Sequence, residues 1–127
     1  LLQFLLKMSN KTLVLGASLK VDRYSNIAIY RLRKFNIDTV AIGLREGMVD
    51  DVKIHEELIP FQDIDTVTLY LNPQRQAAYY DYITSLKPRR VLFNPGTENP
   101  AFYELLAQHH IESEVACTLV LLGTNQY

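Results

Sequence analysis

The chain has 127 residues, with 13 basic against 14 acidic side chains and a formal net charge of −1. That length suits one domain with its own core, and the near-balance of charge lacks the positive field that coating nucleic acid requires. Cys117 is the single cysteine, so an internal disulfide and a cysteine-rich zinc site within one chain are excluded, which fits a reducing, cytoplasmic setting.

The opening Leu1-Leu-Gln-Phe-Leu-Leu6 is apolar but too short to span a bilayer. It also lacks the basic start and cleavage site of a secretory signal, so no membrane partner is expected. Met8 leads through Ser9-Asn10 towards the first strand. Residues 1–8 therefore read as an upstream extension of a domain over 9–127, or else as an extra packed strand or helical turn.

Thr12-Leu-Val-Leu15 is the first predicted strand, and it runs into Gly16, Ala17 and Ser18. The glycine lets the backbone turn, the alanine keeps the loop thin, and the serine hydroxyl can donate. A helix is predicted from Ser25 to Phe35, with Ala28, Leu32 and Phe35 on one stripe, basic residues at its end and Asn36 as a left-handed stop. Strand, glycine turn and helix form the first βα unit of a nucleotide-binding fold, in which amides at a helix start favour phosphate. The dinucleotide fingerprint G-x-G-x-x-G is incomplete, because Ser18 and Val21 occupy its second and third glycine positions. Lys20 and Arg23 either clamp a phosphate held by those amides or stand as solvated loop charges.

Thr39-Val-Ala-Ile42 is the second predicted strand, closed by Gly43. Val52-Lys-Ile54 reads as a short extended piece and Thr66–Leu71 as the third main strand. Asn72-Pro73 and Asn99-Pro100 each pair an N-cap with a proline at the first helical position. Arg90–Phe93 and Glu114–Cys117 are the fourth and fifth strands, and Leu119–Leu122 is an apolar tail. The last helix carries Phe102, Leu105, Leu106 and His109 at i, i+3, i+4 and i+7, which places His109 half-buried, with His55 and His110 exposed.

Short apolar strands alternating with amphipathic helices predict an α/β fold, a Rossmann-like three-layer sandwich. Its sheet is expected to hold five parallel strands in the order 3-2-1-4-5, with the switch point between strands one and four. Ligands of such sheets lie at the carboxyl ends of the strands. Those ends are Gly16-Ala17-Ser18, Gly43-Leu44-Arg45, Leu71-Asn72-Pro73, Asn94-Pro95-Gly96-Thr97 and Cys117-Thr118. Where an NAD-binding chain carries an acid after its second strand, this chain has Arg45, which suits a phosphate on the ribose, as in NADP or coenzyme A. Cys117 reads as a small buried hydrophobe or as a partner for a thiol. Of Tyr79, Tyr80 and Tyr82, one is expected to pack inward and the others to mark a subunit contact, as in a homodimer. No metal cluster or catalytic constellation is evident.

Five motifs in order, Val14-Leu-Gly-Ala-Ser18, Asp22-Arg-Tyr-Ser25, Asp65-Thr-Val-Thr-Leu-Tyr70, Asn94-Pro-Gly-Thr-Glu-Asn99 and Ala116-Cys-Thr118, resemble the small CoA-binding domain family. These proteins are single-domain relatives of the nucleotide-binding domain in succinyl-CoA synthetase alpha subunits. The resemblance implies a ligand that is coenzyme A or a similar adenine nucleotide such as NADP. By that likeness Gly16, Ala17 and Ser18 meet the pyrophosphate, with Lys20, Arg23, Tyr24 and Ser25 on the rim. Gly43, Arg45, Leu71, Asn72 and Pro73 meet the adenosine, and Asn94, Pro95, Gly96 and Cys117 face the pantetheine. Relatives often carry a Val-Asn-Pro turn after strand two, where this chain has Ala41-Ile-Gly-Leu44. The expected function is a coenzyme A-binding module without catalysis of its own, with a regulatory role. The alternatives are a small NADP- or thioester-dependent enzyme component and a ligand-free dimeric interaction protein.

Overall fold

Runs of apolar residues long enough to be covered on both faces dictate the centre of the molecule. In the computed structural model, which describes residues 10–127, the strands β1 (Thr12–Ala17), β2 (Thr39–Gly43), β5 (Thr66–Leu69) and β6 (Arg90–Phe93) are buried along nearly all their length. Three further strands, β3 (Gly47–Val49), β4 (Val52–His55) and β7 (Glu112–Val115), complete a seven-stranded sheet ordered β3-β4-β2-β1-β5-β6-β7. Every pairing is parallel except the β3–β4 hairpin. The reading of residues 1–8 as an extension falls outside the described residues.

The sheet corrects the five-strand expectation. The segment 66–71 was expected beside β2, but β5 pairs directly with β1, Thr12 opposite Thr66. Its expected place is taken by β4, Ala41 opposite Ile54. Counting only parallel strands, the order is 3-2-1-4-5-6, so the switch point falls between β1 and β5. The cause is the hairpin. Asp50 turns in the left-handed region at φ 53°, and Asp51 is clamped to Arg33 at 2.8 Å. The hairpin thereby closes the outer edge of β2 and leaves the far side of β1 for the next strand. Strands of three and four residues carry too few alternations to announce themselves.

Helix α1 (Tyr24–Lys34) packs Ala28, Ile29 and Leu32 against the sheet. Phe35, expected on that stripe, has left the helix as its C-cap and is 48% exposed. Asn36 stops the chain at φ 59°, as its residue type suggested. On the opposite face lie α2 (Pro73–Gln76), a 3-10 turn (Ala77–Tyr79), α3 (Tyr80–Leu86) and α4 (Pro100–Gln108). Here Phe93, Phe102, Leu106 and Ile83 form a core with the strands. Tyr79, Tyr80 and Tyr82 all pack against that core, and none of them is left as an exposed aromatic patch. Tyr80 stacks on Phe102 at 4.2 Å. His109 is exposed because α4 ends at Gln108 and hands it to the cap, whereas His55 is half-buried edge-on to Phe61.

The last strand begins two residues earlier than expected, at Glu112, and ends at Val115. The tail is a helix, α5 (Thr118–Gly123), packed beside α1. Register at this edge is set by charge: buried Arg90 donates from Nη1 to Glu114 at 3.0 Å and from Nε to Thr66 at 3.0 Å. Its guanidinium lies 4.8 Å from the Tyr127 ring centroid, and the Tyr127 hydroxyl bonds Thr12. Arg90 Nη2 is buried without a partner among the described residues. Removing one member of such a pair strands a buried charge, so Glu114→Ala is expected to cost about 2–3 kcal/mol in urea denaturation. The double variant Arg90→Met with Glu114→Ala should recover most of that loss. Equal stability of the single and double variants would contradict this account. No helix among the described residues is long and apolar enough to cross a membrane.

Candidate functional site

The carboxyl ends of β1, β2, β5 and β6 surround a cleft of about 690 Å³, within the range of small-molecule sites. Two glycines make it possible. Gly16 sits at φ +92°, and a Cβ there would come within 3.0 Å of the Tyr70 backbone and the Leu71 side chain. β1 does not end at this glycine as expected. It bulges and continues to Ala17, opposite Gly43. A Cβ on Gly43 would lie 2.2 Å from the Ala17 carbonyl oxygen. The two loop tips therefore close on each other, and the chain must climb away from the sheet before α1 starts.

That climb runs from Ser18 to Arg23 and is held by short bonds. Buried Asn26 donates to the Ser18 carbonyl at 2.9 Å, and the Ser18 hydroxyl accepts from the Lys20 amide at 3.1 Å. The hydroxyl proton remains available to a ligand. Arg23 is the N-cap of α1, and its side chain caps nothing. Three other helix starts are served: Asn72 accepts from the Arg75 amide, Asn99 from the Phe102 amide, and Asn94 from the Thr118 amide that opens α5. α3, which continues directly from the 3-10 turn, has no side-chain cap either. The first turn of α1 also contains no acid, so its free amides and positive dipole end face the cleft unneutralised.

Lys20, Arg23, Arg45 and Arg75 line the cleft, and no acidic residue does. None of the four is in an ion pair among the described residues, whereas Arg33, Arg89 and Arg90 all are. In a chain of net charge −1, this concentrates positive potential at one place, the arrangement that focuses an anion. Leu19, Ile42, Leu44 and Tyr79 supply apolar surface. Tyr70 also lines the cleft. Burial pushes its phenol up to about 12, against the smaller pull of the Thr68 and Thr118 hydroxyls.

Of the residues singled out in the sequence, Gly16, Ala17, Ser18, Lys20, Arg23, Tyr24, Ser25, Gly43, Arg45, Leu71, Asn72, Pro95 and Gly96 all line this one cleft. Pro73, Asn94 and Cys117 do not. Pro73 is occupied as the first residue of α2. Asn94 is buried, donating to Thr68 at 2.7 Å and to the Leu69 carbonyl at 2.9 Å while it caps α5. Cys117 lies beyond the end of β7, which sits two residues earlier than expected, as the half-buried N-cap of α5. Arg75 and Tyr79 were missed as cleft residues, whereas Thr97 belongs to the strand end that the sequence marked. Asn72 at the cap already implied that position 75 stands one turn along, beside the strand end, and that was the available signal.

No curated protein matches the chain. Among solved structures, an uncharacterized protein is 43% identical, with a TM-score of 0.90 over 93% of this chain and 98% of that one. A Thermus thermophilus protein aligns at 16% identity and a TM-score of 0.83, covering 99% and 96% of the two chains. A hypothetical protein from Pyrococcus horikoshii OT3 aligns at 18% and 0.82, covering 98% and 88%. These last two are similar in fold. Residues 10–123 match the family described as CoA binding domain, and the chain belongs to that family.

Proposed function

We propose that the cleft binds coenzyme A, and that the protein is a binding module that senses or delivers this cofactor. One observation carries the reading beyond the family: the start of α1 opens on the cleft with an arginine where a capping acceptor would stabilise the helix. The basic residue opposes the dipole there, and a bound phosphate removes the conflict. In this reading the diphosphate rests on the Gly16–Ser18 backbone and the α1 amides, with Lys20 and Arg23 at its flanks. Arg45, past the end of β2, takes the ribose phosphate. The pantetheine then runs the other way, towards Arg75, Pro95 and Gly96, and Leu71, expected beside the adenosine, falls on this side because β5 lies beside β1 and not beside β2.

Three or four charge-assisted bonds at roughly 1.5–3 kcal/mol each, less ordering costs, are compatible with a dissociation constant of about 1 μM. Calorimetric titration tests this directly. Coenzyme A should bind in that range, and dephospho-coenzyme A about tenfold more weakly, because Arg45 then has no phosphate to meet. Absence of both heat and thermal shift at millimolar coenzyme A would overturn the reading. NADP binding tighter than coenzyme A would transfer the site to the alternative cofactor.

A further inference from the structure

The cleft has two arms on either side of the α1 start, and only one of them has walls paired with each other in the sheet. On the β2 side, Ala17 and Gly43 are neighbours in the sheet. On the β5–β6 side, the walls are the short helix α2 with the residues before it, and the irregular loop 94–99. These walls are not joined by backbone hydrogen bonds to each other. A side chain joins them. Gln76 is fully buried, and its Nε2 donates to the Leu71 carbonyl at 2.8 Å and to the Thr97 carbonyl at 2.8 Å. Both amide protons are thus used, one on each wall.

The orientation of this amide is itself held. Gln76 Oε1 accepts from Asn99 Nδ2 at 2.9 Å, and the same nitrogen donates to the Tyr80 hydroxyl at 2.8 Å. Asn99 Oδ1 accepts from the Phe102 amide, while the Tyr80 ring lies on Phe102. A flipped Gln76 would set its oxygen against two carbonyls, and a flipped Asn99 would set its nitrogen against an amide donor. The network has one consistent arrangement. Thr97 is further anchored, with its amide and hydroxyl both on the Asn94 carbonyl, so the position of its own carbonyl governs the placement of Gly96 and Pro95. Neither Gln76 nor Asn99 lines the cleft.

We propose that Gln76, oriented by Asn99, is a positioning residue that sets the width of the β5–β6 arm and so governs affinity for the half of the ligand beyond the diphosphate. The inference rests on the coenzyme A reading for the identity of that half, the pantetheine. It does not rest on that reading for the strut itself. Arg75 is carried by the same short helix and moves with it.

Gln76→Met keeps the volume and removes all three bonds. Calorimetry on the full chain should show coenzyme A weakened about tenfold, while adenosine 3′,5′-bisphosphate, which ends before this arm, changes by less than about twofold. Parallel loss of both compounds, or loss of neither, would overturn the proposal. Asn99→Asp, which keeps the α4 cap and removes the donor to Gln76, should show the same selective loss and serves should the first variant fold poorly. A measurement without ligand separates this proposal from the cofactor assignment. In Gln76→Met, hydrogen exchange at the Arg75, Gly96 and Thr97 amides should accelerate about tenfold or more, with the β1 amides unchanged. Unchanged exchange at those three overturns the strut. Accelerated exchange in a protein that ignores coenzyme A sustains the strut and removes only the pantetheine assignment.

Discussion

Gly43→Ala should lower stability by about 3 kcal/mol, an expectation at the upper end of overpacking costs. The added carbon would stand 2.2 Å from the Ala17 carbonyl oxygen and 3.0 Å from its carbon. Both atoms belong to backbone, so no side chain can rotate away. Relief requires β1 and β2 to part at Ala17–Gly43, the pairing that brings the two cleft loops together. For a chain of this length the loss corresponds to roughly 10 °C in melting temperature. Two other glycines serve as controls. Gly123, at the end of α5, has open space around it and no positive φ, so alanine there should be neutral or stabilising by about 0.5–1 kcal/mol. Gly96 also has open space but sits at φ +91°, and alanine there should cost about 1 kcal/mol through backbone strain alone. Should Gly43→Ala melt with the wild type, the close approach of these loop tips would be wrong, and the cleft with it.

Arg23→Glu should weaken coenzyme A binding by about 3 kcal/mol, roughly a hundredfold, because it removes one charge-assisted bond and adds a like charge beside the phosphates. The same change should leave the free protein as stable as before, or raise its stability by about 0.3–1 kcal/mol, since a carboxylate suits the start of a helix. This opposition is the informative part. A residue kept for folding would lose stability on replacement, whereas Arg23 makes no side-chain cap and no ion pair among the described residues. Thermal melts without ligand and calorimetry with it, on one preparation, measure both. Raising salt should weaken the wild type more than the variant. Unchanged affinity in Arg23→Glu would separate the basic cleft from the ligand.

Both expectations start from features that local chemistry announces. A glycine closing a run such as Thr39–Ile42, and basic residues following Gly16-Ala-Ser18, are visible to a reader of the chain. Their consequences are not. The distance from Gly43 to Ala17 depends on a bulge at Gly16 and on a register 26 residues apart. That Arg23 rather than a neighbour occupies the N-cap depends on the length of the climb from Ser18, pinned by Asn26 from inside α1. Asn94 shows the opposite case. Its motif marked it for the ligand, yet it reaches inward to Thr68, Leu69 and Thr118, because buried donors and acceptors at the β5–β6 end had to be satisfied.

By itself the sequence determined the alternation of strands and helices, the caps at Asn72 and Asn99, the left-handed stop at Asn36 and the end of the sheet at which the cleft opens. Each follows from residues within a turn or two of one another, where propensity and side-chain chemistry act directly. Only the tertiary structure decided that β4 and not β5 lies beside β2, that Arg75 and Tyr79 join the cleft, and that Cys117 and Asn94 stay outside it. Those outcomes turn on which edge a short hairpin closes and on which buried polar groups find partners across the sheet, and neither is written in any local stretch of the chain.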